Sequence, residues 1–333
     1  MSAERWEDGR RRERGTEPRR FPRLGRRLPS EKPSEDFGKR AMGALARQRR
    51  FEWRKIEESI FKVLMMVSTL LVLLSLILIL TTVAIKGLPA LNLSMITQAP
   101  KGGYYLGKEG GILNAIVGSL YLAGGATLVA IAISLPVVLY LNVYTKKGSR
   151  FADAVRFSLD VLWGIPSIVY GAFGFSIMLF LGVGASLLGG IIAVSLLILP
   201  IMCRAMDEVI RMVPEELLDA SYALGTTRWE TAIRVVARQA LPGILTAVLI
   251  AFGRGVGDAA SVIFTAGYSD AIPHSLMRPA ATLPLAIFFQ LGTPFPEVQQ
   301  RAHASALILT IIILIISIGS RLLTRKYTRY IVK

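Results

Sequence analysis

Arg254 and Asp258 stand four residues apart near the middle of a long apolar run, with Gly253, Gly255 and Gly257 around the arginine. An arginine inside an apolar span costs several kcal/mol on insertion scales, so its retention calls for a reason. Two readings are open. The i,i+4 pair can neutralise both charges within one helix as a structural ion pair. Alternatively, the guanidinium, with five donors in a fixed fork, meets an anion such as phosphate on a pathway through the membrane. The glycines permit close backbone approach, as ordinary helix packing in a membrane also requires.

Arg204 is a second candidate. It follows the apolar run ending Leu199-Pro200-Ile201-Met202-Cys203, where an arginine on its own reads as an interface anchor that snorkels to the headgroups. Gly102-Gly103-Tyr104-Tyr105-Leu106-Gly107-Lys108 comes close to a nucleotide-binding loop, but Glu109 stands where Mg²⁺ coordination needs Ser or Thr, and no buried strand precedes it. If ATP drives this protein, a partner must supply the ATP site. The one cysteine, Cys203, rules out an intramolecular disulfide, and His274 and His303 have no ligand spacing around them, so no metal or other cofactor is expected. Glu297 and Arg301 read as a solvated pair.

The elements that must position these residues are membrane spans. The chain has 333 residues, is 53% hydrophobic and only 19% charged, and has a mean hydropathy of +0.50, which describes an all-α polytopic membrane protein. Val63 to Ile85 carries no charge and exceeds a signal-peptide core, so it is expected to be an uncleaved first span. Apolar stretches at about 112–144, 156–181, 186–206, 240–266 and 303–323 bring the expected number to six. Trp163-Gly164-Ile165-Pro166-Ser167 interrupts the third. Pro273, Pro279, Pro284, Pro294 and Pro296 crowd the segment after the fifth, which points to kinks or partial re-entry.

Of the 39 Lys and Arg, 33 fall on the side that holds both termini and the stretch 204–239; only Lys86, Lys101, Lys108, Arg278 and Arg301 fall opposite. That asymmetry puts both termini in the cytoplasm. Residues 1–58 hold eighteen Lys or Arg against eleven Asp or Glu with no sustained apolar period, and are expected to form a largely disordered basic tail ahead of a permease domain at 59–333. The tail serves to fix orientation or to touch anionic membrane lipid; no nucleic-acid reader motif accompanies its arginines.

The cytoplasmic insert at 207–239 contains a short helix trapped between spans. Pro214 suits its first position, Glu215 and Glu216 complement its dipole, and Gly225 suits a left-handed stop. Thr227 and Glu230 then have capping-box spacing for a second helix. Ala220, Ser221, Ala223 and Gly225 are small, so another protein can approach this elbow closely.

These residues resemble the integral-membrane permeases of ATP-binding-cassette importers, whose Glu-Ala-Ala segment stands here as Asp219-Ala220-Ser221, with Gly225 and Leu241-Pro242 following. More narrowly, Gly164 to Gly171, Leu199-Pro200 with Arg204, Ala220 to Thr226, Arg254 with Gly257 and Asp258, and Leu283-Pro284 are similar to the PstA-type phosphate permeases of that family. The resemblance implies a type I importer fold with about six spans and a cytoplasmic coupling helix, in a bacterial inner membrane. It implies no enzymatic activity in this chain. Implied partners are a cytoplasmic ATPase dimer, a second homologous permease and an external phosphate-binding protein. Glu215, Glu216, Asp219, Ala220, Tyr222, Ala223 and Gly225 would couple to the ATPase, and Arg254, Arg204 and Asp258 would line the anion pathway. The family usually has Glu at the positions of Asp219 and Asp258, and Pro where Ser261 sits. A permease for phosphonate, sulfate or molybdate is the nearest alternative. A secondary carrier would not need the capped elbow, and a membrane-embedded enzyme would need a nucleophile or metal set that is not visible.

Overall fold

The computed structural model describes residues 33–101, 109–146 and 148–328, so the first 32 residues of the expected tail and the glycine-rich loop at 102–108 lie outside the described residues. The chain divides into two units, Met1–Leu73 and Leu74–Lys333. Helix α1 runs Pro33–Gly87. Residues 33–58, expected to lack regular structure, are thus helical, because Ala, Arg, Lys, Glu and Met favour a helix even without an apolar period. After a single 3₁₀ turn come α2 (Leu93–Thr97) and a two-residue antiparallel hairpin, β1 (Pro100–Lys101) and β2 (Glu109–Gly110).

The second unit is built on α3 (Leu113–Leu139), α4 (Arg150–Trp163), α5 (Ser167–Phe180), α6 (Leu187–Arg211) and α10 (Leu241–Val256). Between α6 and α10 lie α7 (Glu215–Ala223), α8 (Arg228–Glu230), a π turn and α9 (Ala237–Gln239). Then follow α11 (Val262–Thr265), α12 (Leu283–Leu291) and α13 (Pro296–Thr328). Helix α6 is the hub, with α3, α4, α5 and α10 all packed on it. Its Ala193, Val194, Ile198, Met202 and Met206 are fully buried.

Among the described residues four helices are long and apolar enough to cross a membrane, and two bent pairs raise the number to six if each is one span. The third expected span is one such pair, α4 and α5, bent by 97° where Gly164 and Pro166 break the helix. The fifth differs from expectation. Rather than running through 240–266, α10 stops at Val256 and the chain turns before α11; its bent partner is the preceding 228–239 arm, at 73°. The apolar run continues past 258, but glycines and an aspartate cap end the helix. The proline-rich stretch after it is irregular up to α12, whose nine residues, ~13 Å, are too short to cross the hydrocarbon.

Small residues set the closest approaches. A Cβ on Gly118 of α3 would collide with the Ala281 carbonyl oxygen, and the neighbouring Ser119 hydroxyl accepts the Leu283 N–H at 2.7 Å, so the 280–283 segment is clasped to α3 through backbone that cannot yield. Gly118→Ala should therefore destabilise the fold by about 1–3 kcal/mol. Gly124→Ala on the same helix meets nothing within 4 Å and should be neutral. Thermal melting in detergent compares the two.

Candidate functional site

Helix α10 lies antiparallel to α6. A Cβ on Gly243 would strike Val209, whereas one on Gly255 would touch Val194 and Ile198. The face towards the core holds Pro242, Ile244, Ala247, Ala251, Gly255 and Val256. On the opposite face Thr246, Ile250, Arg254 and Gly257 form one exposed stripe at spacings of four, four and three. Arg254 stands in the last turn of α10, not at the middle of a span, so its charge also complements the negative helix end.

Arg254 and Asp258 are brought together as the sequence suggested. Nη2 of Arg254 lies 3.4 Å from Oδ1 of Asp258, and the arginine side chain is 48% exposed against 3% for the aspartate. The other carboxylate oxygen, Oδ2, accepts both the Ser261 N–H at 2.8 Å and the Ser261 hydroxyl at 2.6 Å. Asp258 thus caps the turn leading into α11, and Thr265 donates in turn to the Ser261 carbonyl. The turn is held from outside by α5, where a Cβ on Gly171 would sit 2.7 Å from the Ser261 oxygen. A buried carboxylate with one oxygen committed to backbone is a rigid brace. It holds the guanidinium at one edge and leaves the remaining donors on the exposed stripe, where an anion can meet them.

Arg204 is placed differently. Its Nε lies 2.7 Å from Asp160 Oδ1 and its Nη1 3.7 Å from Asp207 Oδ2. Asp207, 1% exposed, also receives Arg156 through Nε at 2.9 Å and Nη2 at 3.2 Å, and Asn142 Nδ2 at 2.7 Å. Arg156 faces Asp153 as well, at 3.8 Å. The π turn Tyr140–Tyr144 that follows α3, with α4 and α6, is therefore tied together by a charged network that holds Arg204. Arg204 is neither a lone interface anchor nor adjacent to Arg254. With Gly255 opposite Val194 and Ile198, Arg204 lies six to ten residues further along α6, roughly 9–15 Å. Sequence reasoning missed Asn142, Asp160 and Asp207; the available signal was charge embedded at helical spacing, Arg156 with Asp160 and Arg204 with Asp207.

The elbow forms as its local signals require. Pro214 precedes α7, Gly225 takes φ +80°, and Thr227 with Glu230 makes both bonds of the capping box. Glu215, Glu216, Asp219, Ala220, Tyr222, Ala223 and Gly225 are all exposed, flanked by Met212 and Leu224 at 78% and 85% exposure. Unforeseen is a triangle of hydroxyls, Ser221 to Thr226 at 2.6 Å, Ser221 to Thr231 at 3.0 Å and Thr226 to Thr231 at 2.9 Å, which pins α7 to the following arm. Ser221→Val should break this triangle while Thr226 and Thr231 keep each other and the 221 carbonyl, and loosen the elbow by about 0.5–1.5 kcal/mol; faster amide exchange over 215–231 is the readout. Among the described residues no group of three His, Cys, Asp or Glu is placed to hold a metal.

Residues 134–329 match the family model described as the binding-protein-dependent transport system inner membrane component. The chain is 34% identical over 273 residues to the phosphate transport system permease protein PstA of Haemophilus influenzae, covering 82% of this chain and 95% of that protein. It is 34% identical over 279 residues to PstA 1 of Mycobacterium tuberculosis H37Rv, covering 83% and 90%. An inward-facing structure of the MetNI methionine ABC transporter superposes with a TM-score of 0.53 at 21% identity, over 65% of this chain and 95% of that one, a likeness of fold.

Proposed function

Because the chain belongs to the family of binding-protein-dependent transport system inner membrane components, we propose that it is the permease subunit of an ATP-driven importer that carries inorganic phosphate across the inner membrane. The observation that carries this reading is Arg254, a half-exposed guanidinium on an otherwise uncharged helix stripe, braced from behind by buried Asp258. A permeant anion cannot enter apolar spans alone. A guanidinium fork offset by a nearby carboxylate lowers the barrier without trapping the ion. The relatives named above as phosphate permeases supply the substrate class.

The stripe on α10 would face a second permease, so that the anion passes between two subunits. Arg204 would be a later station on the same path or, through its ion pairs, a brace for it. The basic distribution supports a cytoplasmic place for both termini, the tail at 1–58 and the 207–239 segment. There the exposed face of α7 would seat in a cleft on an ATPase dimer, which supplies the hydrolysis that this chain does not perform. Ala220→Arg, a bulky charge on that face, should leave the permease folded and uncouple it. ATP hydrolysis by the assembled complex would lose its stimulation by loaded binding protein.

The decisive experiment reconstitutes the permease with its ATPase, second permease and external binding protein. Phosphate-loaded binding protein should stimulate hydrolysis and uptake, and sulfate should not. Equal stimulation by sulfate would assign another oxyanion; uptake driven by a proton gradient without ATP would overturn the importer reading.

A further inference from the structure

Between the end of α3, the start of α4 and the arm after the elbow lies an apolar groove of about 580 Å³, walled by Pro136, Val137, Tyr140, Tyr144, Phe151 and Trp229. Tyr140 and Tyr144 stack nearly parallel with ring centroids 5.7 Å apart. Phe151 and Trp229 are more than half exposed. The continuous helix Leu113–Tyr144 has 32 residues, ~48 Å against a hydrocarbon layer of ~30 Å. Even when tilted it carries its last turns into the headgroup layer, where Tyr and Trp are favoured.

Basic residues flank the walls of this groove in sequence, and one of them, Arg228, reaches the wall residue Tyr144. Lys146 follows Tyr144 by two residues, Arg150 precedes Phe151, and Arg228 precedes Trp229; all three are exposed. Arg228 reaches the Tyr144 carbonyl only at 3.5 Å, so most of its fork is turned to the rim. The nearby acids are engaged elsewhere, Asp153 facing Arg156 and Glu230 held by Thr227 and Arg234. An apolar slot at headgroup depth with a cationic mouth matches one occupant in both charge and shape.

We propose that this groove binds one anionic glycerophospholipid, an acyl chain lying along the aromatic wall and the headgroup phosphate on Arg228, Lys146 and Arg150. Trp229 sits four residues after Gly225, so the bound lipid would steady the arm on which the elbow turns. The inference depends on the membrane placement of the chain and not on which anion it carries.

The test is native mass spectrometry of the assembled complex, and of the full chain alone, in mild detergent with phosphatidylglycerol or phosphatidylcholine of identical acyl chains. Wild type should retain phosphatidylglycerol about tenfold better. Arg228→Gln, and separately Lys146→Gln with Arg150→Gln, should bring the two lipids to near parity with melting temperatures unchanged in lipid-free detergent. Trp229→Ala should weaken both lipids. Equal retention by wild type, or a preference that survives both charge variants, overturns the proposal. So does displacement by millimolar inorganic phosphate, which would mark a small-anion site, or retention by the isolated chain but not by the complex, which would give the groove to a partner subunit.

Discussion

Arg254→Ala is expected to reduce phosphate uptake per assembled complex by roughly 10–100-fold or more while leaving assembly intact. The size follows from removing one charge-assisted hydrogen-bonding group from the barrier, worth about 1.5–3 kcal/mol, which is one to two decades in rate. Assembly should survive because Arg254 is half exposed on the outward stripe of α10, and Asp258 keeps the Ser261 N–H and hydroxyl after its cation is gone. Arg254→Lys should recover only part of the activity, since a point charge replaces a planar fork. Uptake of radiolabelled phosphate, normalised to purified complex, is the measurement. Loss of assembly with transport per complex unchanged would mean that the pair with Asp258 exists for stability alone.

The same turn shows where sequence reasoning reached and where it stopped. The contact of Arg254 with Asp258 is legible because an i,i+4 spacing is local. That α10 ends there was not legible, since Val262, Ile263 and Phe264 prolong the apolar run and periodicity alone cannot show a cap. Asp258 and Ser261 act as one feature. Ser261 supplies the N–H that a proline lacks, and the aspartate arm reaches it.

The elbow was legible for a related reason. Pro214, Gly225 and the Thr227–Glu230 box each act within one turn of chain, so their outcome does not depend on tertiary context. The Ser221–Thr226–Thr231 triangle needs the two arms to fold together and left no periodic trace. The bend of the third span was legible from Gly164 and Pro166 for the same local reason. The network around Asp207 was not, because its partners Arg156 and Asn142 lie 51 and 65 residues away.

Asp207→Ala is accordingly expected to have the largest effect on stability, about 3–5 kcal/mol. Asp207 takes a two-pronged contact from Arg156, a hydrogen bond from Asn142 and a longer contact from Arg204, all at a seam of α3, α4 and α6. Removing the carboxylate leaves Arg156 without its main counter-charge and weakens the hold on Arg204; because Arg156 also lines a cavity of about 550 Å³ that admits water, the loss falls at the lower end of that range. Arg204 keeps Asp160, so Arg156 should suffer most. Replacing Arg156 and Asp207 together by Leu and Met should recover much of the loss, because neither charge is then left buried. Assembled permease in membranes and its melting temperature in detergent are the readouts. Wild-type assembly and melting with abolished transport in Asp207→Ala would instead place this carboxylate on the transport path. Arg204 would then have to be regarded as held for the anion rather than for the fold.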